Sequence, residues 1–284
     1  MNQLIALIDG SVYSQSVCDY AAWVAKRTGS AVELLHTIGR RETDSAPANL
    51  TGNIILGART SLLEELSDLD EQRAKLFHKR GRAILDDAKA SIEAAGVTDV
   101  TARLRIGDII KTVAERENAA DMVVIGKRGE AADFASMHLG SNLERIVRGC
   151  RKPVFIAARA FMPIKNFLVA FDGGASSMKA VDYIACNPLF AGLQCHLLMA
   201  GADTPETRAQ LDDACLSLKA GGLDVEAGIT NGRAEAVIAH AVETDGIDLL
   251  VMGAYGHSRI RSLIIGSTTT QMIRSCKIPI ALFR

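Results

Sequence analysis

A short apolar run that ends in an aspartate and a turn occurs twice in this chain. Leu4–Ile8 leads into Asp9-Gly10-Ser11, and Phe167–Phe171 leads into Asp172-Gly173-Gly174, an offset of 163 residues. At the same offset Asp19-Tyr20 returns as Asp182-Tyr183, and Leu34-Leu35 as Leu197-Leu198. Further on, Asp121–Gly126 with Gly129 matches Asp248–Gly253 with Gly256, and Gly140-Ser141 matches Gly266-Ser267. Cys150 matches Cys276, and Pro153–Ile156 matches Pro279–Leu282. A repeat this long lies far above solenoid periods and predicts two domains of one fold.

Within each half, short continuous apolar runs alternate with helical patterns. In the first half the runs predict strands at 4–8, 31–36, 100–105, 121–125 and 153–157. Helices are predicted near 14–28, within 59–95, and near 108–118 and 141–149. Runs without polar alternation suit parallel strands covered on both faces, and the alternation with helices implies right-handed βαβ units. The expected fold is α/β: two tandem Rossmann-like domains, 1–160 and 165–284, each a five-stranded parallel sheet flanked by helices. The linker is roughly Ala158–Asn166. Only the first half carries about 20 extra residues, Arg40 to Ala58, rich in Thr, Ser, Asn, Gly and Pro; a loop or a lid is expected there. The mixed charges of the following helix predict a solvated face.

Composition narrows the function. A net charge of -1 gives no field for nucleic acid or an anionic membrane, and 5% aromatics disfavour a base-stacking platform. The six cysteines show no CxxC and no ligand spacing, so free thiols in a reducing cytoplasm are expected rather than zinc or disulfides. The N-terminal apolar run is too short for a signal peptide, and no run approaches a membrane span.

In a doubly wound sheet, ligands bind beyond the carboxyl ends of the strands, where the connections diverge. Asp9 and Asp172 end the first strand of each half, and the motif glycines follow the fourth. In the commonest strand order these strands are neighbours, so one crevice collects both features. There an aspartate can meet ribose hydroxyls or a hydrated metal, and Gly266 opens a helix whose N–H groups and hydroxyls suit phosphate. The plainer reading of Asp172 is a turn cap after a strand. The chain carries neither a P-loop Gly-Lys-Ser/Thr nor a G-x-G-x-x-G after its first strand.

Gly253-x2-Gly256-x9-Gly266-Ser267, within its duplicated setting, resembles the G-x2-G-x9-G-(S/T) ATP-binding motif of the universal stress protein family. The resemblance covers both halves and implies five-stranded domains paired through their last strands, here 153–157 and 279–283. It further implies ATP as ligand, with or without Mg2+, as in a subset of the family. Carried over, Asp172 with Gly173 would meet the ribose or metal region, and Gly253 would pack against the nucleotide. Gly256, Gly266, Ser267 and Thr268 would hold the phosphates, with His257 and Arg259 beside them, and adenine would lie near Met199 and Ala200.

The equivalent first-half set is Asp9, Gly126, Gly129, Gly140 and Ser141. Ten rather than nine residues separate Gly129 from Gly140, and Asn142 replaces Thr268. Glu130 and Asp133 in that loop disfavour a polyphosphate, with Lys127 and Arg128 as partial compensation, whereas the second loop carries His257, Arg259 and Arg261 and no acid. The leading expectation is a stress-response regulator that binds an adenine nucleotide mainly in its second half, alone, as a homodimer or with a protein partner. A slow ATP hydrolase or phosphotransferase, and a scaffold or binder of an apolar ligand through the first half, are the alternatives. No positioned general base or metal carboxylate pair stands out.

Overall fold

A computed structural model of the chain describes residues 3–39, 56–129, 141–254 and 266–284. Residues 40–55 of the expected insert, the acidic positions Glu130 and Asp133, and the motif positions Gly140, Gly256, His257, Arg259 and Arg261 lie outside them.

The first half runs β1 (Gln3–Leu7), α1 (Ser14–Thr28), β2 (Ala31–Ile38), α2 (Leu56–Ala94) and β3 (Val100–Ile106), then α3 (Ile109–Arg116), β4 (Met122–Gly126), α4 (Ser141–Gly149) and β5 (Val154–Ala157). The second half repeats the order: β6 (Asn166–Phe171), α5 (Ala175–Cys186), β7 (Gln194–Ala200), α6 (Pro205–Ala220), β8 (Asp224–Thr230), α7 (Ala234–Thr244), β9 (Leu249–Gly253), α8 (Ser267–Ser275) and β10 (Ile280–Phe283). All ten strands join one sheet in the order β3-β2-β1-β4-β5-β10-β9-β6-β7-β8.

Alternation within the strands explains the layers. Leu4, Ala6 and Ile8 pack with α1, the C-terminal part of α2, α5 and α6, whereas Ile5 and Leu7 pack with α3, α4, α7 and α8. Side chains of one strand leave on opposite faces, so a continuous apolar run needs a helix layer on each. Every strand pair is parallel except one: β5 meets β10 antiparallel, with Phe155 opposite Ala281. The pairing of last strands implied by the family resemblance is therefore present, and the strands of the two halves run in opposite directions.

Local chemistry sets the helix ends. Thr204 and Thr207 form a capping box ahead of α6, with Pro205 in the first turn, and Asp108 accepts from the backbone N–H groups of Ile110 and Lys111 to start α3. α1 ends at Gly29, whose φ of 68° is the left-handed conformation that glycine adopts without cost.

One boundary differs from expectation. The insert was expected to run to Ala58, yet α2 already begins at Leu56 and extends to Ala94. Leu85, Ala88 and Ile92 of α2 occupy the core positions that Leu211, Ala214 and Leu218 occupy in α6. Aligned this way, the start of α6 at Pro205 falls opposite Lys79, so residues 56–78 are additional helix. Their many Leu, Glu, Lys and Arg residues favour continuing the helix rather than looping.

Candidate functional site

In each half the first and fourth strands are neighbours: Ala6 pairs with Val124, and Ala170 with Met252. From that pair the connections diverge, β6 leading through α5 to β7 on one side and β9 through α8 to β10 on the other. A crevice opens at such a point because the two crossover helices lie on opposite faces.

Asp172 leaves β6 at this position. Its Oδ1 accepts from Gly174 N–H at 2.9 Å and from Ser177 Oγ–H at 2.6 Å, closing the turn that leads into α5. Asp9 repeats the arrangement with Ser11 N–H at 3.0 Å and Ser14 Oγ–H at 3.3 Å. The capping reading thus accounts for one oxygen of each carboxylate. Gly173 holds the turn at φ +71°, and a Cβ there would come within 2.6 Å of Gln210 Oε1 on α6.

The glycine that ends each fourth strand answers first to packing. A Cβ on Gly253 would stand 2.9 Å from Ser176 Cβ and 3.2 Å from Ser177 N, and one on Gly126 would stand 2.7 Å from Tyr13 Cβ. The first turn of α5, or of α1, occupies the space expected for a nucleotide against these Cα atoms. Gly129 lies further along its loop, where a Cβ would meet Asp9 Oδ2 at 2.9 Å, so the loop folds back onto that carboxylate.

Gly266 is the N-cap of α8, with φ −55°, ψ 147° and no capping side chain. Thr269 Oγ1–H donates to Gly253 O at 3.2 Å and ties the first turn of α8 to the end of β9. Ser267 is exposed beside it. First-turn N–H groups have no acceptor within their own helix, so this end offers several donors to an anion. Met199 and Ala200 close β7, next to Phe171 of β6. The Met199 side chain belongs to the core and Ala200 is half-buried, so only the latter fits the adenine position expected of the pair.

Two charges change the electrostatics read from the sequence. Thr268 Oγ1–H donates to Glu235 Oε1 at 2.9 Å, bringing a carboxylate from α7 to a residue expected to hold phosphate. The backbone amide of Glu235 and then the Thr268 hydroxyl hold that carboxyl below its usual range. Arg233 approaches the other carboxylate oxygen at 3.9 Å. In the first half, Lys127 reaches into the other half of the chain. Its Nζ donates across the seam to Cys276 O, and burial pushes its pKa down to about 8. A lysine four methylenes long reached the nearest helix C-terminus, where the carbonyls lack partners. At the place of Arg233 the first half has Asp108, whose carboxyl is held low chiefly by its ion pair with Arg145 on α4.

The structure therefore gathers Asp172, Gly173, Ala200, Gly253, Gly266, Ser267 and Thr268 around one strand pair, and Asp9, Gly126 and Gly129 around the other. Ser141 begins α4. Glu235 and Arg233 were missed by sequence reasoning, as were Ser177 and Thr269. The available signal was position: a first-turn acid after the third strand must lie near the last helix in this topology. Among the described residues no group of three His, Cys, Asp or Glu is placed to hold a metal ion, and no helix is long and apolar enough to cross a membrane.

The sequence profile of the universal stress protein family matches residues 1–158 and 163–284. Universal stress protein Slr1230 of Synechocystis sp. is 37% identical over 287 residues, covering 100% of both chains. In structure, the chain resembles a universal stress protein from Archaeoglobus fulgidus with a TM-score of 0.75 at 21% identity, covering 100% of this chain and 98% of that one. A functionally unknown protein from Pseudomonas aeruginosa gives a TM-score of 0.63 at 14% identity, covering 100% and 92%. These two structural likenesses concern the fold.

Proposed function

The chain belongs to the universal stress protein family, and on that footing we propose that it is a stress-response regulator that binds an adenine nucleotide, ATP first, in its second half. We propose residues 1–160 and 165–284 as its two domains, in line with the two matched segments. One observation carries the nucleotide reading: the uncapped N-terminus of α8 and the Asp172 turn both abut Gly253, at the divergence of β6 and β9. A helix N-terminus with glycine at its cap and hydroxyls in its first turn has the donors a phosphate needs. Asp172 lies where a ribose would be held, Ala200 where adenine would be covered, and Gly256, His257 and Arg259 complete the motif in sequence. The donor set fits the triphosphate as such; Mg2+ would reach the site with the nucleotide. The nucleotide's part is to shift conformation or partner affinity. Free cysteines suit a cytoplasmic setting.

Gly266→Asp tests this reading. Aspartate is a good N-cap, so the helix and the fold should persist, while its carboxylate stands where phosphate would sit. ATP binding measured by calorimetry should vanish; unchanged affinity would remove the assignment.

A further inference from the structure

The additional helix at 56–78 has no counterpart in the second half. None of residues 65–80 is buried, whereas Gly81, Leu85, Ala88 and Ile92 below them are. At 1.5 Å per residue the added helix is about 35 Å long. Helices draw most of their stability from packing an apolar stripe rather than from propensity. Here Leu69 and Leu76, seven residues apart and so on one side of the helix, are 56% and 67% exposed.

The charges along the same stretch are sorted. From 65 to 72 the ionisable residues are Glu65, Asp68, Asp70 and Glu71, all acidic. From 73 to 82 they are Arg73, Lys75, Lys79, Arg80 and Arg82, together with His78, and none is acidic. A purely solvated helix would pair opposite charges one turn apart along its length. Glu71 pairs with Lys75 at 2.6 Å where the two blocks meet. Exposed pairs of this kind are weak and do not explain the exposed leucines or the sorting of charge into two blocks.

We propose that this helix is a self-association surface and that its partner is the same helix of a second copy of this chain, packed antiparallel. With the two-fold axis near Gln72 and Arg73, Leu69 of one copy faces Leu76 of the other. The acidic block then lies along the partner's basic block, twice by symmetry. A parallel arrangement would set acid on acid and base on base. A two-fold interface must be self-complementary, and a segment that carries both halves of its own complement meets that condition. The surface lies outside the strand seam and the nucleotide crevice, so the assembly is a dimer of complete chains.

Sedimentation velocity and light scattering on the full chain across the micromolar range test the proposal. The wild type should show a reversible dimer whose dissociation constant rises with salt. Leu69→Glu with Leu76→Glu should raise that constant about tenfold or more. Circular dichroism and an unchanged thermal transition would show that the fold survives. Reversing the acidic block (Glu65, Asp68, Asp70 and Glu71 to Lys) should break the homodimer, as should reversing Arg73, Lys75, Lys79 and Arg80 to Glu. Mixing the two reversed chains should restore a heterodimer. A monomeric wild type, whether because another segment of the chain covers the leucines or because nothing does, overturns the proposal. So does a dimer indifferent to the leucine substitutions, or a failure of the reversed chains to complement.

Discussion

Gly253→Ala isolates what the glycine at the end of β9 contributes. The added methyl would sit 2.9 Å from Ser176 Cβ, where ordinary contact begins at 3.4 Å, and 3.2 Å from Ser177 N. Neither neighbour can rotate away, because one is a Cβ and the other is backbone. The start of α5 must therefore move by about half an ångström, or β9 must. Overpacking of this kind costs about 1–3 kcal/mol. The same movement disturbs the 2.6 Å bond from Ser177 to Asp172, and a hydrogen bond contributes about 0.5–1.5 kcal/mol. If that bond orients Asp172 for ribose, nucleotide affinity should drop by roughly 2- to 12-fold, at 1.4 kcal/mol for each tenfold. Urea unfolding gives the first quantity and calorimetric titration the second. Gly228→Ala is the control, since nothing lies within 4 Å of a Cβ there, and it should be close to neutral in both. Equal stability of the two variants would refute the argument that close approach of α5 requires Gly253.

Glu235→Gln removes the carboxylate bonded to Thr268 while keeping an acceptor. A solvated charge at a few ångströms is worth on the order of 1 kcal/mol, so ATP should bind about fivefold more tightly; weaker binding in titration would show that the carboxylate assists the ligand. Thiol titration of the native protein should show one fast group, because Cys186 is exposed and the other five cysteines are buried, and Cys186→Ala should abolish that phase. Burial pushes the Cys18 thiol from 9.0 up to about 12, so the folded state retains a proton that the unfolded state releases. Stability should fall as pH rises through that window, and alkaline unfolding followed by fluorescence would reveal a flat response if the reasoning fails.

The fold was legible because its strands are short apolar runs that occur twice, and two copies of an ambiguous pattern resolve each other. The strand pairing β1–β4 and β6–β9 followed from topology alone. Charge was harder to read. Lys127 stands in the first motif loop, and only its three-dimensional surroundings show that it turns to a carbonyl of the other half. Glu235 lies about 30 residues from Thr268 in sequence, and no local pattern announces that their helices are neighbours. The long helix expected within 59–95 is α2, and only its start differs, three residues earlier at Leu56, because turn-forming residues just before it hide where the helix begins.

The antiparallel seam gives α8 an unusual station. Since β10 runs against β5, the N-terminal end of α8 lies at the crevice of the second half, and its C-terminal end lies at the glycine loop of the first. Gly266 and Thr269 hold one end against Gly253 and Ala254, while Lys127 grips the carbonyl of Cys276 at the other. Nine residues of helix span about 13 Å, so one short element is tied to both halves. The matching end of α4 is held by a different residue: Ala254 stands in the place of Lys127, buried, and Arg284 Nη1 instead donates to Arg148 O at 2.7 Å. The molecule has two-fold architecture with two seam grips of unlike chemistry, a lysine from a motif loop on one side and the last arginine on the other.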